Sequence, residues 1–210
     1  ATSFGYPGQD PRWTDYSPAA IDARAAYLRK SVERVAGIDR AQLDAADQLN
    51  YDLYRDLLLT AVQGLAFQND AMPIRGVTSR NLLMPMNQLD GVHQDIPRTL
   101  ALMPAATRQH YENIVSRLAG VGPIVDQTIA LMARGLAAGV TPPKITLRDM
   151  PAQVQAQIVG DPLRSPLLAA FAVFPSSVPE ADRGGLTARA TAAYRDHAAP
   201  AFRRLHEFLT

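Results

Sequence analysis

The sequence predicts an all-α protein, an irregular bundle of long helices and helical hairpins with one long ordered loop. Three observations predict it. Apolar residues recur at three- and four-residue spacing along most of the chain. Helix-opening pairs and helix-ending glycines bracket these stretches. There is no internal repeat and no convincing set of alternating strands. At 210 residues, 47% hydrophobic and 20% charged, the chain falls outside the disordered, collagen-like and membrane-span classes. Its length suits one helical unit over residues 1–210 with a core that needs no staple.

Ser17-Pro18 opens the first helix, since Ser accepts a bond from an orphan amide at the N-cap and Pro is pre-set for the first position. Ile21, Ala25, Leu28, Val32 and Val35 share one face, and Gly37 is the C-cap. Asp39 with Gln42 resembles a capping box for the longest helix, placed within Ala41 to Asn69 and carrying Leu43, Ala46, Leu49, Leu53, Leu57, Ala61 and Leu65. A helix of ~28 residues there would be ~42 Å long. From Asn69 to about Gln94 the period fails among Pro73, Gly76, Pro85 and Gly91, predicting a long connection of the kind that serves as a binding loop or surface excursion.

Helical pattern resumes from about Asp95 to Leu102 and from Pro104 to Ala119. Gly120, Gly122 and Pro123 then break it before a helix that stops at Gly139, which reads as a helical hairpin. Thr146 with Asp149 suggests the cap of a short helix through Val154 and Ile158. The run Leu167 to Phe174 is too short to assign by period. Ser177 and Pro179 open a last helix interrupted at Pro200.

Charge and composition restrict the chemistry. With 21 Lys+Arg against 20 Asp+Glu there is no basic surplus to neutralise a phosphate backbone, so nucleic acid is not an expected partner. The absence of cysteine excludes thiol catalysis and Cys-type zinc ribbons and leaves the compartment open, exported or cytoplasmic. No uninterrupted apolar run approaches the ~20 residues that span a bilayer, so no transmembrane segment is expected. The start at Ala1 is attributed to processing or cloning.

Motifs with catalytic spacing are incomplete. His206-Glu207 begins a His-Glu-x-x-His match, but Thr210 occupies the second ligand position. His197 lies on the opposite face from His206, and His93 and His110 lack a close partner. Glu33, Glu112, Glu180 and Glu207 include no Glu-x-x-His pair. Asp52 and Asp56 share a helix face, a spacing compatible with acid–base chemistry but expected here as a solvated face paired to Arg55.

Several segments in order resemble one bacterial family, the domain of unknown function numbered eight hundred and eighty-five. They are Trp13-Thr14-Asp15-Tyr16-Ser17-Pro18, Tyr51-Asp52-Leu53-Tyr54-Arg55, Pro85-Met86-Asn87-Gln88-Leu89-Asp90-Gly91-Val92-His93, Ala138-Gly139-Val140-Thr141-Pro142-Pro143-Lys144, Ser165-Pro166-Leu167 and Pro200-Ala201-Phe202-Arg203-Arg204-Leu205. The resemblance implies a zinc metallopeptidase whose His-Glu-x-x-Pro-Gly-His signature lies downstream of these residues. It therefore implies that the chain is the amino-terminal part of a longer protein, without cofactor, metal ligand or catalytic residue of its own, with zinc expected in the complete protein. The implied partners are the carboxy-terminal half and a peptide substrate, with self-association expected of the chain alone. Asn87, Gln88, Gly91 and His93 are the expected lining of the peptide cleft, since amides can hold an extended backbone and Gly permits close approach. The alternative is a free-standing helical module that binds a peptide or partner helix in an apolar groove.

Overall fold

The computed structural model describes residues 5–69 and 81–210, and every regular element among them is helical, with two isolated β-bridges and no strand. The stretch 70–80 of the expected long loop, with Pro73 and Gly76, lies outside the described residues.

The first two helices form a hairpin. α1 (Pro18–Ala36) starts as the sequence predicts, with the Ser17 hydroxyl accepting from the Ala20 amide, and ends at Gly37. α2 (Ala45–Gly64) starts later and ends earlier than expected, at 20 residues rather than ~28, and the continuous path through residues 108–137 exceeds it in length. Two aspartates compete to cap it. The Asp39 carboxylate takes the Ala41 amide and nucleates only a 3-10 turn, whereas Asp44 takes the Asp47 amide and opens the α-helix. Arg40 then reaches across to Asp52 in a bidentate pair of 2.8 and 2.7 Å, so the partner of Asp52 is Arg40 and not Arg55. That pair holds the Asp52 carboxyl below its usual range, with the charge of Arg55 adding in the same direction. The hairpin has its own small core of Leu28, Val35 and Leu58.

α3 (Val92–Ala101) precedes the main body, which consists of two long rods. The first joins α4 (Arg108–Ala119), capped by Thr107, to α5 (Val121–Ala137). The expected hairpin at Gly120 is absent, because the Gly120 amide still bonds the Ser116 carbonyl at 3.0 Å and the helical path continues through it. Pro123 falls in the first turn of α5, where its missing amide costs no bond within that helix, so the chain does not reverse here. The resulting 30-residue helix is long and apolar enough by composition to cross a membrane; its buried Tyr111, Ile114, Leu118, Val121 and Val125 instead belong to the core of this chain.

The second rod joins α8 (Glu180–Ala193) to α9 (Ala199–Leu209) through a π turn, Tyr194–Ala198. α4 packs on α8 and α5 on α9, so the rods run in the same direction, and the π turn touches both α4 and α5. A parallel pair needs a long return, which residues 138–179 provide through α6 (Lys144–Leu147), α7 (Met150–Gln155) and two 3-10 turns. Asp149 makes no side-chain cap here, and Thr146 donates to Pro143 O, so the expected Thr146–Asp149 cap does not form. The unassigned run from Leu167 is largely a 3-10 helix (Pro166–Phe171) opened by Ser165, whose buried Phe171 meets Tyr111 edge-on at 5.2 Å.

The hydroxyl of buried Tyr194 ties the second rod to the return, donating to Gln157 O and accepting from the Val159 amide, each at 2.8 Å. Replacing Tyr194 by Phe leaves the Val159 amide without this acceptor. Urea denaturation of Tyr194→Phe is expected to give a loss of about 1–3 kcal/mol with an unchanged m-value.

Candidate functional site

The first of the four candidate residues stands in a tight turn. Asn87 and Asp90 form an isolated antiparallel bridge, and the Asn87 side-chain oxygen accepts from the Leu89 amide at 2.8 Å. This Asx turn occupies the acceptor that a peptide amide would otherwise use. The Gln88 amide bonds Thr146 O at 2.9 Å and so fastens the turn to α6, while Gln88 O accepts from the Gln94 side chain at 3.2 Å. The side-chain oxygen of Gln88 is buried with no hydrogen-bond partner.

Gly91 is the N-cap of α3 at φ 131°, a conformation L side chains rarely adopt, and an added Cβ would lie 2.7 Å from Met86 Cγ. Because α3 begins at Val92, three residues before the expected Asp95, His93 belongs to the first turn of the helix and not to the loop. It is 2% exposed, with Nε2 at 2.9 Å from the Gln153 side-chain oxygen of α7 and Nδ1 without a partner. Burial holds its pKa below the ordinary 6.5, against the weaker opposing effects of Gln153 and Asp95.

A cleft of about 280 Å³ opens beside this turn, and none of the four candidates lines it. Its walls come from four separate segments: Trp13 and Tyr16 before α1, Leu82 and Pro85 of the loop, Asp95 and Thr99 of α3, and Ile124 and Thr128 of α5. The amino-terminal wall is fixed by hydrogen bonds. Trp13 Nε1 donates to Arg117 O at 2.7 Å with its ring under the Arg117 guanidinium, and the Tyr16 amide donates to the Gln127 side chain at 2.8 Å. The loop wall is fixed by close approach, since a Cβ on Gly135 of α5 would lie 2.4 Å from Leu83 O. The Asn81 side chain adds a bond to Phe67 O, and Leu82 N one to Gln68 O.

Sequence reasoning placed the loop but missed the lining on α3 and α5. Asp95 and Thr99, like Ile124 and Thr128, stand four apart, and a polar Thr128 within the apolar face of α5 was the one available signal. Its hydroxyl is satisfied by Ile124 O at 2.8 Å. His93, His110, His197 and His206 remain apart, and among the described residues no three His, Asp or Glu side chains are grouped to hold a metal ion. His110 Nδ1 accepts from the Ala106 amide.

Two outcomes are expected. Gly91→Ala should lose about 2–4 kcal/mol in denaturation, from strained backbone plus the collision with Met86. For His93, the unfolded chain takes a proton near pH 6.5 and the folded one only at lower pH, so stability should fall as pH drops below 6.5 and be flat in this respect above it. In urea titrations between pH 7.5 and 5, His93→Gln should remove that slope; an identical slope in the variant would assign it to other groups.

No curated protein matches the sequence. Among solved structures, the crystal structure of "the putative lipoprotein from Colwellia psychrerythraea" has the same fold, with a TM-score of 0.73 and 19% identity over 96% of this chain. The match covers 34% of that protein, so this chain spans about a third of its length. A family model described as "Bacterial protein of unknown function (DUF885)" matches residues 1–210, and the chain therefore belongs to that bacterial family.

Proposed function

We propose that this chain is the amino-terminal helical portion of a zinc-dependent peptidase, non-catalytic by itself, and that it forms part of the wall of the peptide cleft. The observation that carries the reading is the 280 Å³ cleft, where four segments distant in sequence converge on aromatic, carboxylate and hydroxyl side chains. That volume suits one or two residues of a peptide and not a whole substrate, as expected of one wall. The reaction class is the one that the sequence resemblance implies.

The four histidines of these residues do not fit a zinc site, because each stands in a separate place, so no catalytic step is derived from them. Zinc, and a carboxylate to use its bound water, belong in this reading to the carboxy-terminal half. Asn87, Gln88, Gly91 and His93 serve it indirectly. They close the turn, fasten it to α6 and α7, and start α3 at the angle that presents Asp95 and Thr99 to the cleft.

In the continuous protein, peptide hydrolysis should be lost on chelation, while residues 1–210 alone hydrolyse no peptide. Thr99→Phe, which fills the cleft, should raise KM about tenfold with kcat and zinc content little changed. Hydrolysis by residues 1–210 alone overturns the reading, and an unchanged KM removes this cleft from the path of the substrate. A reading frame that stops at Thr210 would instead favour the free-standing binding module.

A further inference from the structure

The α1–α2 hairpin leaves an apolar stripe uncovered. Leu49, Leu53 and Leu57 follow at four-residue intervals along α2 and are 59%, 62% and 41% exposed, with Ala46 and Tyr54 beside them. On α2 only Leu58 is fully buried, and the whole hairpin shares just three buried hydrophobic residues, separate from the main core. A pair of helices with so small a core is poorly held by itself. The stripe, ~12 Å long at 1.5 Å per residue, is the ridge that one further helix would pack against.

We infer that this stripe is the seat of a helix from the polypeptide that follows residue 210 in the continuous protein; the inference rests on the proposed amino-terminal position of the chain. The solved protein of the same fold supports that occupant, because two thirds of its length lies outside the match. Size argues against a second copy. Three leucines and one tyrosine offer a few hundred Å² per chain, well under the ~800 Å² per partner of a stable interface. A covalently joined segment needs no such area, since its effective concentration is high. Charge argues against a lipid surface: Asp56 borders the stripe, Asp52 beside it is held by Arg40, and α2 carries Asp47, Asp52 and Asp56 against Arg55 alone, where a membrane-seeking helix carries Lys and Arg.

The test is maleimide labelling at position 53. Residues 1–210 contain no cysteine, so Leu53→Cys introduces a single thiol into this portion, and its labelling is read by mass spectrometry of the peptide that contains it. Labelling should be at least tenfold slower in the continuous protein than in residues 1–210, while Glu33→Cys on the exposed side of α1 keeps one rate in both. Equal rates at position 53, or a reading frame ending at Thr210, overturn the inference. So does protection in the continuous protein that appears only with rising protein concentration, which assigns the stripe to a second copy, or slowing of residues 1–210 on phosphatidylglycerol vesicles, which assigns it to lipid. Chelator-sensitive hydrolysis measured on the same preparations separates the two proposals. A protected position 53 in an inactive protein refutes the peptidase alone, and an active protein with a fast-labelling position 53 refutes the docking alone.

Discussion

Two proline-marked irregularities set at the same level hold the architecture together. In the first rod Pro123 lies just past the join of α4 and α5 at Gly120, and the second rod widens into a π turn just before Pro200. The π turn touches both halves of the first rod, so the second rod is irregular beside the join of α4 and α5. Everything else follows from that pairing. Parallel rods require a long return, the return carries α6 and α7, and those short helices supply the anchors for the turn at residues 87–90 and for His93.

The balance of forces along the rods favours burial over charge. Arg189 with Glu112, Arg108 with Asp182 and Arg204 with Asp126 all bridge the two rods at the surface. Exposed pairs of this kind contribute about 0–1 kcal/mol each, so they set alignment more than stability. Between them lie Tyr111, Ile114, Leu118, Ala190, Tyr194, Phe202 and Leu205, each at most 2% exposed, and a buried side chain of that size contributes roughly 1.5–3 kcal/mol. Three alanines in the second rod, Ala190, Ala198 and Ala201, are fully buried, and their small size lets the backbones approach closely.

The sequence was legible where a signal had one interpretation. Ser17-Pro18 and Gly37 bounded α1 because both caps are chemical events with a side-chain or backbone bond behind them. It misled where two residues could do the same work, as with Asp39 and Asp44, or where a signal was missing, as at Gly91, which starts α3 with no side-chain cap for a reader to see. Gly-x-Gly-Pro at residues 120–123 reads as a reversal because glycine and proline are local breakers, but only tertiary packing decides whether such a break turns the chain or is carried through as helix. The candidate site divides in the same way. The loop was visible as a loss of period, while the lining on α5 and the wall from Trp13 and Tyr16 depend on contacts more than 100 residues apart, which no local pattern encodes.

The π turn also fixes how this protein can change length. The Ala199 amide reaches back five residues to Tyr194 O, so the segment carries one residue more than a straight helix of the same rise. The surplus keeps Ala190 and Tyr194 on the same side as Phe202 and Leu205. A one-residue deletion among residues 195–197 would convert the segment to ordinary helix with both faces still in phase. The same deletion within α9 between Ala201 and Leu205 would rotate everything beyond it by about 100° and swing Leu205 out toward solvent. Pro200 opposes the first event, because in a regular helix its ring would strike the carbonyl four residues earlier. The proline thus depends on the extra residue, and a lineage could lose the extra residue only together with the proline or after it.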